Sequence, residues 1–322
     1  MFSKINALFH PERYQGIGKT KRYFEGWYYK LVSADERKAL AVIPGVAMDE
    51  NGEKHGFIQI LDGRAFTSEY YRFGFNTFRY ATDKFEIHLG NSRFSGKELI
   101  LDEQDIKGKV TLINPVSWPS SVLSPGIMGP YTFVPFMECY HGILSMDHTL
   151  KGTLTYKGEK FDFTGGKGYT EKDWGHTFPS AYFWMQTNHF SKPGISFKAS
   201  VAKIPWLSSS FTGFIAGVWY NKRLYRFTTY NGTKLLKSDA DQKSVQLILR
   251  NKSFILTVAA HRHNETELAS PVSGLMDGRI KESMTAEIDV RLTDKKGNVI
   301  FEDRGRNAGL EVAGNISEIM IP

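Results

Sequence analysis

The chain carries its own pattern twice. Trp27 is followed 30 residues on by Phe57 in "HGFIQI", and Trp184 is followed 30 residues on by Phe214 in "TGFIAG". Gly56, Phe57 and Ile58 therefore match Gly213, Phe214 and Ile215 at an offset of 157. "YRF" at 71–73 returns at 225–227, "LGNSRF" at 89–94 resembles "LRNKSF" at 249–254, and "PVSW" at 115–118 resembles "PVSG" at 271–274. "LTYKGEKFDF" at 154–163 is echoed by "LTDKKGNVIFED" at 292–303. Matches kept in one order at nearly one offset imply an internal duplication, with domains expected at 1–165 and 166–322. A chain of 322 residues is long for one domain and comfortable for two.

Each half reads as short strands. "WYYKLV", "GFIQIL", "EYYRFGF" and "KVTLI" in the first half, and "SFKASV", "FIAGVWY", "SVQLIL" and "EIDVRL" in the second, are β-branched or aromatic and bounded by Gly, Asn, Asp or Lys-Gly turns. In "EIDVRL", Ile288, Val290 and Leu292 share one face and Glu287, Asp289 and Arg291 the other. No long segment repeats with a period of 3.6. The expected class is all-β: two tandem lipocalin-like antiparallel barrels, each with room for one apolar ligand. A β-sandwich meets the same strand pattern.

Composition narrows the function. The chain is 41% hydrophobic and 14% aromatic, enough to bury a core and wall an apolar pocket. A net charge of +7 permits weak contact with anionic membrane surfaces, but no basic run or named motif points to nucleic acid. The single Cys139 excludes an internal disulfide and fits a reducing compartment. The start, "MFSKINALFHPERY", has no apolar signal core, and no run reaches the roughly 18 apolar residues of a spanning helix. The expectation is a soluble cytoplasmic protein with at most peripheral membrane contact.

Several motifs fail on inspection. "GIGKT" at 16–20 lacks the preceding glycine of a phosphate loop, since that position is Arg13, and it runs into aromatic strand sequence. "GGKG" at 165–168 reads as a turn. His261 and His263 would share a strand face, but no third ligand marks a metal site. There is neither a serine nucleophile elbow nor a dinucleotide glycine signature.

Two stretches remain. "RYFEGWYYK" places Glu25 with Trp27 and Tyr29 on one strand face, so the carboxylate shares its side with aromatics. "GYTEKDWGHTFPSAYFWMQTNHF", residues 168–190, carries Glu171, Asp173, Trp174, Trp184, Gln186, Asn188 and His189. In its strand, Trp184, Gln186 and Asn188 share one face, and Phe183, Met185, Thr187 and His189 the other. Amides in an apolar wall are costly unless they bond a ligand or backbone. A carboxyl buried among rings keeps its proton to higher pH and becomes a proton donor.

These stretches resemble the tocopherol cyclase family. The family's "FEGWY" stands at Phe24-Glu25-Gly26-Trp27-Tyr28, its "EKxWG" at Glu171-Lys172-Asp173-Trp174-Gly175 with Phe178-Pro179 after it, and its "WxQxN" at Trp184-Met185-Gln186-Thr187-Asn188. The plant members are longer, with Asn where this chain has Asp173 and an apolar residue where it has His189. The resemblance implies a cofactor-independent intramolecular cyclase acting on a prenylated quinol or other isoprenoid, with no metal required. An acid protonates a trisubstituted alkene and the neighbouring phenol oxygen captures the cation. On that reading Glu25 or Asp173 is the donor, Glu171 supports it, and Trp27, Tyr28, Trp174 and Trp184 form an aromatic wall. Gln186, Asn188 and His189 orient the substrate. A non-catalytic lipid carrier and an alkene hydratase share the same architecture.

Overall fold

The computed structural model describes residues 8–241 and 243–322, so half of the N-terminal stretch read above lies outside the described residues. The protein is nearly all strand. The first sheet holds β1 (Tyr23–Val32), β2 (Ala39–Met48), β3 (Lys54–Asp62), β4 (Thr67–Gly74), β5 (Arg79–Tyr80), β6 (Glu86–Leu89), β7 (Ser92–Ser95), β8 (Glu98–Asp102), β9 (Ile106–Ile113), β10 (Cys139–Tyr156), β11 (Glu159–Asp162) and β12 (Lys167–Gly175). The second holds β13 (Ala181–Thr187), β14 (Ser196–Trp206), β15 (Ser209–Tyr220), β16 (Arg223–Thr228), β17 (Lys234–Ala240), β18 (Ser244–Arg250), β19 (Phe254–His261), β20 (Thr266–Val272), β21 (Leu275–Asp294) and β22 (Val299–Gly314).

The two sheets follow one plan. The first runs β4-β3-β2-β1-β12-β10-β9-β8-β7-β6-β5, and the second β16-β15-β14-β13-β22-β21-β19-β18-β17. In each, the opening strand pairs with both the second strand and the last. The sequence echoes fall on equivalent elements: Phe57 and Phe214 on β3 and β15, and the two "YRF" segments on β4 and β16. The first "PVS" segment lies in the connection before the long strand β10, and the second closes β20, just before the long strand β21.

Neither sheet closes into the barrel expected from the strand pattern. The edges of the first sheet are β4 and β5, joined by only four residues, and an extended chain brings their ends within about 18 Å. The sheet therefore curls until its edges approach. Among the described residues no ladder joins them, because β5 is two residues long and cannot match the eight of β4. In the second sheet, β16 and β17 are held by a turn whose bonds converge on Asn231: its side-chain oxygen accepts from Thr228 N and Thr233 N. These edges stay unpaired with each other as well.

By contacts the residues form two compact units: one reaches Phe178 and includes Ala269–Arg279, and the other is Pro179–Leu268 with Ile280–Pro322. The first unit takes in β12, which pairs with β1 and β10 in the first sheet. Each unit has its own core. The first gathers Trp27, Tyr29, Leu31, Val42, Ile58, Phe94 and Val110, and the second Phe183, Met185, Phe197, Val201, Phe227, Leu247 and Ile288.

Candidate functional site

The two site-bearing strands of the first unit lie side by side. β1 and β12 are antiparallel, with Glu25 opposite Trp174, Trp27 opposite Lys172 and Tyr28 opposite Glu171. Alternation then sorts the motif residues onto two faces. Glu25, Trp27, Tyr29, Lys172 and Trp174 point to the core side, and Trp27, Tyr29 and Trp174 pack into the core cluster. Tyr28, Tyr169, Glu171 and Asp173 point to the other side, so the expected wall of Trp27 and Tyr28 is split between faces.

On the core side Glu25 and Lys172 form an ion pair of 2.5 Å, with both side chains wholly buried. Gln15 N donates to both Glu25 oxygens, and Gly16 N donates to Oε2 at 3.0 Å. The Tyr23 hydroxyl donates to Oε2 at 2.5 Å. Lys172 Nζ donates to the carbonyls of Pro11 and Arg13, and it sits 4.7 Å from the ring centroids of both Trp27 and Trp174. Burial pushes the Glu25 carboxyl up and the Lys172 ammonium down, each opposed first by the other's charge. Every group on the Glu25 oxygens is a donor, so a proton there would face another donor. The arrangement suits the anion. Burial and the Glu25 charge push the Tyr23 hydroxyl well above its ordinary range, which keeps it a donor.

On the other face His141, brought opposite Asp173 by the β10–β12 ladder, joins the carboxylates. Its Nδ1 lies 2.7 Å from Asp173 Oδ1, and its Nε2 lies 3.6 Å from Glu171 Oε2. The Tyr169 hydroxyl donates to Glu171, and burial first, then the Glu171 charge, pushes that phenol well up. Glu171 is buried, while Asp173 retains 24% side-chain exposure, the most of the three. Cys139 Sγ lies 3.9 Å from Asp173 Oδ1, and burial pushes its thiol up, so it stays neutral. Among the described residues His141, Glu171 and Asp173 are the group whose ligand-type atoms converge, within 4.8 Å. Because Asp173 occupies Nδ1 and Glu171 faces Nε2, the imidazole bridges two carboxylates and does not form one corner of a shared ligand set.

In the second unit Phe183 and Met185 pack in the core, and Trp184, Gln186 and Asn188 lie on the opposite face of β13. The amides therefore do not line the interior of this sheet, because the inward face takes the more apolar of the two rows. The row is buried nonetheless: Gln186 sits opposite Lys198, whose Nζ donates to Ser200 Oγ, and Trp184 sits opposite Glu311, which accepts from the Tyr182 hydroxyl at 2.9 Å. His189 follows the strand, in an isolated bridge with Arg306.

The sequence reading missed Lys172, Tyr23, Tyr169 and His141. Lys172 was legible, since alternation in "TEKDWG" puts it with Thr170 and Trp174. His141 lies 32 residues from Asp173, and only the ladder register joins them.

Two curled antiparallel units of one plan, each with buried polar groups on its opening and closing strands, define a lipocalin-like β protein. A family model described as tocopherol cyclase-like matches residues 111–314, more than half of the chain, and the protein belongs to that family. The probable chloroplastic tocopherol cyclase of Oryza sativa subsp. japonica is 26% identical over 192 residues, which is 56% of this chain and 40% of that one. The match thus spans about two fifths of the length of that relative. The crystal structure of CghA with Sch210972 superposes with a TM-score of 0.55 at 9% identity, covering 91% of this chain and 89% of that one. A putative AttH from Nitrosomonas europaea gives 0.51 at 13% identity, covering 90% and 92%. At these identities the two structures speak for the fold. Among the described residues no helix is long and apolar enough to cross a membrane.

Proposed function

We propose that this protein is a tocopherol cyclase-like enzyme that protonates an alkene of a prenylated quinol or related isoprenoid and closes a ring, with the Asp173–His141–Glu171 array as proton source. The observation that carries the reading is the 2.7 Å contact between His141 Nδ1 and Asp173 Oδ1, backed by Glu171 at 3.6 Å. A ring N–H of His141 donating to one Asp173 oxygen steadies the carboxylate left when the other oxygen gives up its proton. Glu171, held by the Tyr169 hydroxyl, faces the other ring nitrogen and orients the imidazole.

The proton passes from Asp173 to the alkene carbon, leaving a tertiary cation. The neighbouring phenol oxygen forms the new C–O bond, and its proton returns to the Asp173 carboxylate. Substrate and product have the same mass, and no electrons are exchanged. Glu25, the other donor considered from the sequence, takes a different role here: an anion that fixes Lys172, Tyr23 and the 15–16 backbone.

The test is turnover of a prenylated hydroquinone by Asp173→Asn and His141→Gln. Each should fall by about a hundredfold to ten-thousandfold, the usual worth of a positioned acid. Unchanged turnover in both overturns the assignment. Product mass separates the neighbouring chemistries, since cyclisation conserves it and hydration adds one water. Binding without product, unaffected by either substitution, identifies a carrier.

A further inference from the structure

A cavity of about 290 Å³ opens within the first unit, on the core side of β10 and β12. That size is at the lower end of small-molecule pockets. Its walls are mostly apolar, with Phe9, Phe85, Leu112, Ile143 and Leu144 among the lining groups. Glu12, Ser117, Ser120 and Ser145 also line it and are hydrogen-bonded within the protein, whereas two other polar lining residues are not. Trp118, on the loop between β9 and β10, is 4% exposed, and among the described residues its indole N–H has no hydrogen-bond partner. Thr170, on β12, is 1% exposed, and its hydroxyl is likewise unpartnered. Buried polar groups are almost always paired, and leaving two unpaired around one hollow is costly.

We propose that this cavity binds a compact apolar molecule bearing a single hydroxyl, an alkylphenol or alicyclic alcohol. The indole N–H donates to the ligand oxygen, the ligand hydroxyl donates to Thr170 Oγ1, and the apolar body fills the space against Phe85, Leu112 and Leu144. This chemistry follows from the donor and acceptor present: the indole can only donate, whereas the threonine hydroxyl can do either. Among the described lining residues none is a cation and Glu12 is an acid, so a carboxylate or phosphate would enter unpaired. The site stands apart from the proton array, which lies on the opposite face of the same strands.

The matched probes are thymol and p-cymene, which differ only by the hydroxyl, titrated calorimetrically into the full chain. Thymol should bind about tenfold more tightly than p-cymene, the worth of one well-made buried hydrogen bond. Thr170→Val and Trp118→Phe should each erode that discrimination and leave p-cymene binding nearly unchanged. Leu144→Trp and Gly96→Leu should abolish binding of both by filling the space. Gly96 suits this purpose because a Cβ there meets only Phe85, at an ordinary 3.5 Å, so the fold survives and circular dichroism confirms it. Asp173→Asn should bind thymol like the parent protein, which keeps this test independent of the catalytic reading. Equal affinity for the two probes, no binding of either, or full thymol affinity in a folded Gly96→Leu variant would each overturn the proposal.

Discussion

Glu25 and Lys172 stand 147 positions apart in the chain and 2.5 Å apart in the structure, with no solvent exposure on either side chain. The pair ties β1 to β12 and both to the segment before β1, because Glu25 accepts from Gln15 N and Gly16 N while Lys172 donates to Pro11 O and Arg13 O. Two family motifs that are read separately in the sequence are thus one device. Its role is to hold the N-terminal segment across the core side of the sheet.

Breaking that pair on one side should be severe. Lys172→Met leaves an unpaired carboxylate in a dry site, and about 3–5 kcal/mol of unfolding free energy should be lost. Lys172→Met combined with Glu25→Gln should recover part of it, since no buried charge remains. Tyr23→Phe, which removes one hydrogen bond to the carboxylate, should cost about 1.5–3 kcal/mol. Urea unfolding curves for the singles and the double measure the coupling. Independent, additive losses would contradict the arrangement.

The two motif glycines should respond differently to alanine. Gly175 has a φ of +156°, and a Cβ there would lie 2.1 Å from the Glu138 carbonyl oxygen. The backbone cannot yield cheaply, so Gly175→Ala should destabilise by more than about 2 kcal/mol. At Gly26 a Cβ meets nothing closer than Ile43 Cγ2, at 3.7 Å. Gly26→Ala should change stability by less than about 1 kcal/mol. Thermal melts of the two variants suffice, and the reverse order would refute the steric reading.

Acid stability should depend on two buried histidines. Burial lowers His148 from 6.5 to about 3, and burial, ahead of the Arg72 charge, lowers His55 from 6.5 to about 4. A folded state that refuses protons the unfolded chain accepts loses stability as pH falls. The loss should begin near pH 6.5 and run down to about 4 for His55 and about 3 for His148. Its slope approaches about 1.4 kcal/mol per pH unit for each group. His148→Gln should flatten the curve in that window, and an unchanged slope would show that His148 is protonated in the fold.

Within the proton array the supporting members should matter less than Asp173. Glu171→Gln keeps the shape but replaces the carboxylate that orients the His141 ring, and should slow turnover about tenfold to a hundredfold. Tyr169→Phe should have a smaller effect in the same direction. Single-turnover rates on a prenylated hydroquinone would rank the three. A Glu171→Gln variant slower than Asp173→Asn would reverse their roles.

Strand content was readable because period-two alternation and turn residues are local: "WYYKLV", "GFIQIL", "FIAGVWY" and "EIDVRL" all fall within observed strands. The duplication was readable because equivalent strands keep equivalent residues, as the two "YRF" segments do on β4 and β16. Alternation also placed Glu25 on the side of Trp27 and Tyr29, where it lies. By itself, then, the sequence determined the class, the repeat and the composition of each strand face. Which face turned inward on β13, how far each sheet curled before its edges stopped short, and which distant side chains met were decided only in three dimensions. Pairing register is a long-range choice, fixed by the burial of whole faces at once. His141 reaches Asp173, and Lys172 reaches Glu25, only after that choice has been made.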